Sequence, residues 1–463
     1  MLIDVYLSIK QRLSALNQYN KIIKSHNYSF FKAIFSKQIP IIKKFVNFAR
    51  FEIKNNYMYR ILSFSFFVLS AIAFTSCSKS TTITSSATGW PYDYKANNAF
   101  RGLGSSSDLV PPGMVEIPGW TITVDDAEDF ETANRRIRTS ELNTRRMLSV
   151  NSFYMDQREV RNIDWREYQN WLTSVYSNVA PDIIERAKPD IKVWTDGLSD
   201  NEPFLMNYFT HPSFNEYPVV CVSWDQAAAY CAWRSDRANE LRLIKAGAIK
   251  APDFKAIAEM TTLEAVENAI FTSKKYFTGK QDNLAKTFSG MFPDYRLPSE
   301  DEWEFAAYAR KSTDPENKVK VYPWSERSYE KATAAQRNQQ QANYNQTSTN
   351  ANSNVFSRTL PVGSFAPNDF GLYNMAGNVN EWVFDQYATR GNINKIDSLD
   401  VLDFFLPDYH KSQDSRVYKG GSWKDPIYWL HPASRRYLDR TKSANDIGFR
   451  CAMSIVPNTA VKK

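Results

Sequence analysis

A fourteen-residue run with only Ser among its apolar residues, ILSFSFFVLSAIAF at residues 61–74, ends in Thr75-Ser76-Cys77 and decides which part of the chain can fold into a globular body. A helix needs about 20 apolar residues to cross a bilayer, so this run is too short to span one comfortably. Met58-Tyr59-Arg60 supplies a start and a positive charge before it. Charged region, apolar region and small-residue end together read as a signal peptide over residues 58–76. The alternative is a buried strand or an uncleaved anchor helix.

A cysteine at this point resembles a bacterial lipobox. Cleavage after Ser76 would accompany lipidation of Cys77, although Phe74 stands where an aliphatic residue is usual. Residues 77–110 are rich in Ser, Thr, Gly and Asn and are expected to be a lipidated flexible tether. Residues 1–57 sit upstream of a complete signal peptide. The simplest account is that translation begins at Met58; the alternative is a basic amphipathic segment lying on the inner membrane surface.

The charge follows the same division. The net charge of +7 is concentrated in residues 1–57, which hold ten Lys/Arg against Asp4 and Glu52. With Arg60 also set aside, the rest of the chain carries −2, so no nucleic-acid partner is expected. The body should run from residue 111 to 456, with a tail at 457–463. Its 12 Trp and scattered Gly, Pro and Asn suggest a large aromatic core with many turns. Strand-like stretches are Met114–Pro118, Ser149–Met155, Tyr217–Val222, Thr359–Phe365 and Arg416–Lys419. Ser223–Gln226 and Ser299–Glu302 are capping boxes, each opening a helix. The first helix should place Trp224, Ala228 and Cys231 on one face. A third helix is expected near Asn162–Val175.

Six segments then carry a family resemblance: YPVVCVSWDQAAAYCAW at 217–233, RLPSEDEWEFAA at 296–307, YPW at 322–324, VGSFAPNDFGLYNMAGNVNEW at 362–382, VYKGGSW at 417–423 and IGFRC at 447–451. Their wording and order resemble the formylglycine-generating-enzyme, or sulfatase-modifying-factor, family. The resemblance implies an irregular α+β domain related to C-type lectin folds, low in regular secondary structure. Within the family, the lipid anchor, SSATGW at 85–90 and the ending RVYKGGSWKDPIYWLHPASRRYLDR are most similar to gliding-motility lipoproteins of Bacteroidetes. That likeness implies an outer-membrane scaffold at the periplasmic face, partnered by other envelope proteins of gliding motility and type IX secretion. The alternative is a lectin-like module binding glycan or peptidoglycan through aromatics such as Tyr428 and Trp429.

Enzymes of the family hold copper between two thiolates shortly after the Gly-Gly-Ser-aromatic motif, because soft Cu(I) needs soft ligands. Here that stretch, Trp423–His431, contains no cysteine, so neither copper nor catalysis is expected. An iron-binding branch uses histidines, but His211, His410 and His431 show no paired spacing. The resemblance further implies a disulfide between Cys231 and Cys451, with the alternative of two buried free thiols. It also implies calcium held by the side chains of Asn374 and Glu381 and the carbonyls of Gly377 and Val379, with the alternative that Glu381 only ties down its loop. Two inserts relative to the enzymes, near 238–292 and 385–415, complete the reading. The first, with Leu241, Leu243, Ile244, Ile257, Phe271, Tyr276 and Phe277, is expected to be either a docking element that can be removed without unfolding the domain or a surface loop that covers part of the core.

Overall fold

The computed structural model describes residues 83–95, 110–125, 145–194, 206–274, 291–309, 322, 341–345, 358–387 and 414–455. Cys77, His410, Tyr276, Phe277 and most of the 385–415 insert lie outside them. Within the described residues the strands are β1 (Met114–Ile117), β2 (Thr121–Asp125), β3 (Arg145–Ser149), β4 (Phe153–Asp156), β5 (Asn380–Gln386), β6 (Ser415–Lys419), β7 (Arg436–Asp439), β8 (Ile447–Gly448) and β9 (Ala452–Ser454). The α-helices are α1 (Asn162–Tyr176), α2 (Pro181–Arg186), α3 (Trp224–Lys245), α4 (Phe254–Ala258), α5 (Leu263–Ala269) and α6 (Glu300–Tyr308). No described helix is long and apolar enough to cross a membrane.

Three small sheets share the work of one large one. Their orders are β1-β4-β9, β2-β3 and β7-β6-β5-β8. Strand β9 closes the first sheet by pairing Tyr154 with Met453, and β5 lies parallel to β8 but antiparallel to β6. This mixture, with many intervening turns, is the irregular α+β architecture expected.

Both capping boxes form. The Ser223 hydroxyl accepts from the Gln226 amide while the Gln226 side chain accepts from the Ser223 amide, and Ser299 and Glu302 do the same for α6. Helix α3 buries Ala227, Tyr230, Cys231 and Arg234, a face turned slightly from the expected one; Trp224 is half-buried. Tyr230 stacks on Trp165 of α1 at 5.5 Å, and Phe449 meets both rings edge-on. Such aromatic pairs add about 0.5–1.5 kcal/mol each beyond area burial. They anchor the main core where α1, α3 and the turn before β9 converge.

Three expectations are corrected. Tyr217–Val222 is not a strand: its backbone is spent on loops, with Val219 N donating to Val160 O and Cys221 N to Ala444 O. Thr359–Phe365 forms turns instead of a strand. The tether does not extend to residue 110, because Ser85, Ala87, Thr88 and Trp90 are buried against the domain.

Candidate functional site

The segment after Gly420-Gly421 is where the chemistry of such a fold would sit. Both glycines have positive φ, +99° and +70°. A Cβ on Gly420 would stand 3.0 Å from the Trp303 ring, and one on Gly421 would stand 2.7 Å from Leu430. The chain can turn here only without side chains, and the turn aims Ser422 inward.

Ser422, Asn380, Asp425 and Asp446 form a buried polar set. The Ser422 hydroxyl donates to Asp425 Oδ2 at 2.5 Å and lies 3.2 Å from Asp446 Oδ2. The Asn380 amide donates to both aspartates, at 3.1 and 2.9 Å. Arg436 of β7 roofs the set: its two terminal nitrogens donate to Asp425 Oδ1 and Oδ2 at 2.8 and 2.7 Å, and one also meets Asn380 Oδ1 at 2.6 Å. On the outer side, Lys424 pairs with Asp446 at 2.7 Å. Two carboxylates thus face two cations. Burial alone would raise the Asp425 carboxyl, but hydrogen bonds from Arg436, Ser422 and Asn380 outweigh it and hold Asp425 below the usual range.

This network is closed. The Ser422 proton is committed to a carboxylate that is a weak base, so the serine is not activated as a nucleophile. Trp429 is half-buried, with the Arg436 guanidinium 4.5 Å over its ring; the Tyr428 side chain lies outside the described residues. The sequence reading did not single out Asp425, Arg436 or Asp446. The Ser-x-x-Asp spacing of 422 and 425 was the one local signal.

The Glu381 member of the expected calcium set does not fit this geometry. Glu381 accepts from Arg450 on both oxygens, at 2.6 and 2.7 Å, and from Trp303 Nε1 at 2.7 Å. A guanidinium already holds the carboxylate that a calcium ion would need. The carboxyl facing the loop is instead Glu159, which accepts from the Asn374 and Asn378 amides at 2.9–3.1 Å. Burial pushes Glu159 up to about 7, against the pull of Arg450. Asn374 Oδ1 is buried without a partner, and the Gly377 amide is bound to Gly420 O. Val379 packs in the apolar cluster beside Cys221. The backbone turns through positive φ at Asn374, Gly377 and Asn378, so the loop is a tight structural element built over Glu159.

Cys231 and Cys451, expected as a disulfide or as two buried free thiols, are brought together in the core with their sulfurs 3.4 Å apart. Cys221 is a third buried thiol, raised well above its ordinary range by burial. Both described histidines are used locally: His211 Nδ1 accepts from Ser213 N, and His431 Nδ1 from Ala433 N. Among the described residues no group of three or more His, Cys, Asp or Glu side chains is placed to hold a metal ion.

This fold and the polar set after its glycine pair define the class. The sulfatase-modifying factor enzyme 1-like domain matches residues 101–455, and the chain belongs to that family. It is 25% identical over 405 residues to the formylglycine-generating enzyme of Bos taurus, covering 81% of this chain and 83% of that protein. It is also 25% identical over 384 residues to the inactive C-alpha-formylglycine-generating enzyme 2 of Mus musculus, covering 76% and 88%. Among solved structures it is similar to Treponema denticola variable protein 1, at 20% identity and a TM-score of 0.37 over 74% of this chain and 95% of that one.

Proposed function

We propose that this chain is a noncatalytic, lipid-anchored scaffold. It is held by Cys77 at the periplasmic face of the outer membrane and is a structural component of gliding motility and type IX secretion. Its counterpart in that machinery would be lipoprotein J (GldJ), on the likeness of residues 85–90 and 416–440. The observation that carries the noncatalytic reading is the closed network of Ser422, Asp425, Asn380, Asp446 and Arg436, which fills the region beside Gly420-Gly421 with mutually satisfied groups.

Two measurements test the two halves of this reading. Purified protein with copper and a cysteine-containing peptide should yield no aldehyde; turnover would overturn the noncatalytic half. Crosslinking in intact cells should attach proteins of the gliding and secretion machinery. Recovery of glycan alone would replace the scaffold with a lectin-like module.

A further inference from the structure

The segment expected to be a tether is built into the domain before the family-matched region begins at residue 101. Residues 83–92 form a hairpin: Thr84 bridges Pro91, Ser85 N donates to Trp90 O at 2.7 Å, and Tyr92 N donates to Ile83 O at 3.1 Å. Gly89 takes the tip at φ +77°, close against Leu241 of α3.

Its inner face is fixed by named bonds. Trp90 Nε1 donates to Arg237 O at 2.6 Å, and its ring meets Tyr94 and Phe254 edge-on. Thr88 donates to Glu167 at 2.6 Å. Arg234, itself buried and paired with Asp156, donates to Ala87 O at 2.8 Å. Arg161 donates to Ser86 at 2.6 Å. The hairpin is therefore part of the folded body.

Its open end is different. There the chain arrives from Cys77, and there Ile83 stands 76% exposed beside Tyr92 at 39%. Six residue steps separate Ile83 from Cys77, which even fully extended reach only about 20 Å. An acyl group on Cys77 would thus hold this open end close to the lipid surface. Ile83 suits that interface by its apolar area, while the Tyr92 ring lies half-exposed beside it with its hydroxyl turned to Ser85.

We propose that the open end of this hairpin is a membrane-contact foot, which seats the domain on the lipid surface carrying its anchor and places Ile83 and Tyr92 at the interface. The proposal rests on the lipidation of Cys77. Full-length Ile83→Cys chain, purified with its acyl groups, would be labelled with an environment-sensitive fluorophore and placed in phosphatidylethanolamine–phosphatidylglycerol vesicles holding a nitroxide-lipid quencher. Met206→Cys, at a position 67% exposed, serves as the control. A melting temperature equal to the parent's establishes that each variant is folded. Quenching at position 83 should exceed that at 206 at least twofold. Palmitate labelling is read in the same preparation. A palmitate-labelled chain with equal quenching overturns the foot alone. An unlabelled chain overturns the anchor assignment and the foot with it.

Discussion

Glu167 receives the Thr88 hydroxyl on one carboxyl oxygen, while the other is buried without a partner. Burial, the largest effect, pushes its carboxyl from 4.5 to about 7, against the hydrogen bonds of Ser85 and Thr88. A carboxyl raised in the folded state stabilises the fold fully below about pH 4.5 and loses that contribution as pH rises through about 7. The full shift corresponds to about 3 kcal/mol as an upper bound. Glu167→Gln should therefore melt like the parent at pH 5 and above it at pH 8, as a thermal scan at each pH would read. Asp425 behaves oppositely, because its partners hold it ionised. Arg436→Met leaves that charge buried and unpaired, a loss of about 3–5 kcal/mol. Urea unfolding at pH 7 should show the loss, and a smaller one should appear at pH 4, where Asp425 can take up a proton. Ser422→Ala removes one hydrogen bond to a charged group and should cost less, about 1.5–3 kcal/mol.

Helices were legible because their start signals are local. Ser223 with Gln226, and Ser299 with Glu302, each sit three residues apart, and the structure uses both pairs as read. The edge between body and insert was not legible, because α3 runs without a break from Trp224 through residue 238 to Lys245. The insert's apolar residues also have a destination inside the protein. Leu241, Leu243, Phe254, Ile257, Val266, Ile270 and Phe271 are buried, and Ile244 is half-buried. Polar residues of α3 pin the returning chain: Arg237 donates to Phe271 O, Asp236 accepts from Ser273 N, and Asn239 exchanges two bonds with the Phe292 backbone. The expectation that 238–292 can be removed without unfolding is corrected accordingly, since removal would strip the core that α3 builds, and the contacts match the alternative of a segment that covers the core. Replacing 246–290 with a short Gly/Ser linker should yield chain that is insoluble or lacks a cooperative melting transition. A soluble deletion that melts like the parent would contradict this. Tyr217–Val222 read as a strand from composition, yet Cys221 at φ +62° breaks the extended run, and such a bend leaves no mark in a row of apolar letters.

At the scale of the molecule, the interior joins positions that sequence spacing cannot connect. Glu381 meets Arg450 across 69 residues, and Asn378 meets Glu159 across 219. Family likeness indicated that Asn374–Glu381 matters, but only the folded chain shows that an arginine holds its carboxylate. The N-terminal hairpin was misread for a related reason: a Ser/Thr-rich stretch has few apolar groups, but Trp90 and the polar bonds made by Ser86, Ala87 and Thr88 dock it. The sheet β1-β4-β9 carries a further consequence. A chain made by the ribosome appears N-terminus first, so β4 is available long before its partner: Tyr154 waits for Met453. Until residues 450–454 emerge, one edge of β4 is unpaired, and Asp156 lacks both the Arg450 side chain and the Cys451 amide that it receives in the finished fold. Completion of this sheet therefore waits for a segment made long after β4, and any factor that shields the unfinished edge must act until β9 has been delivered.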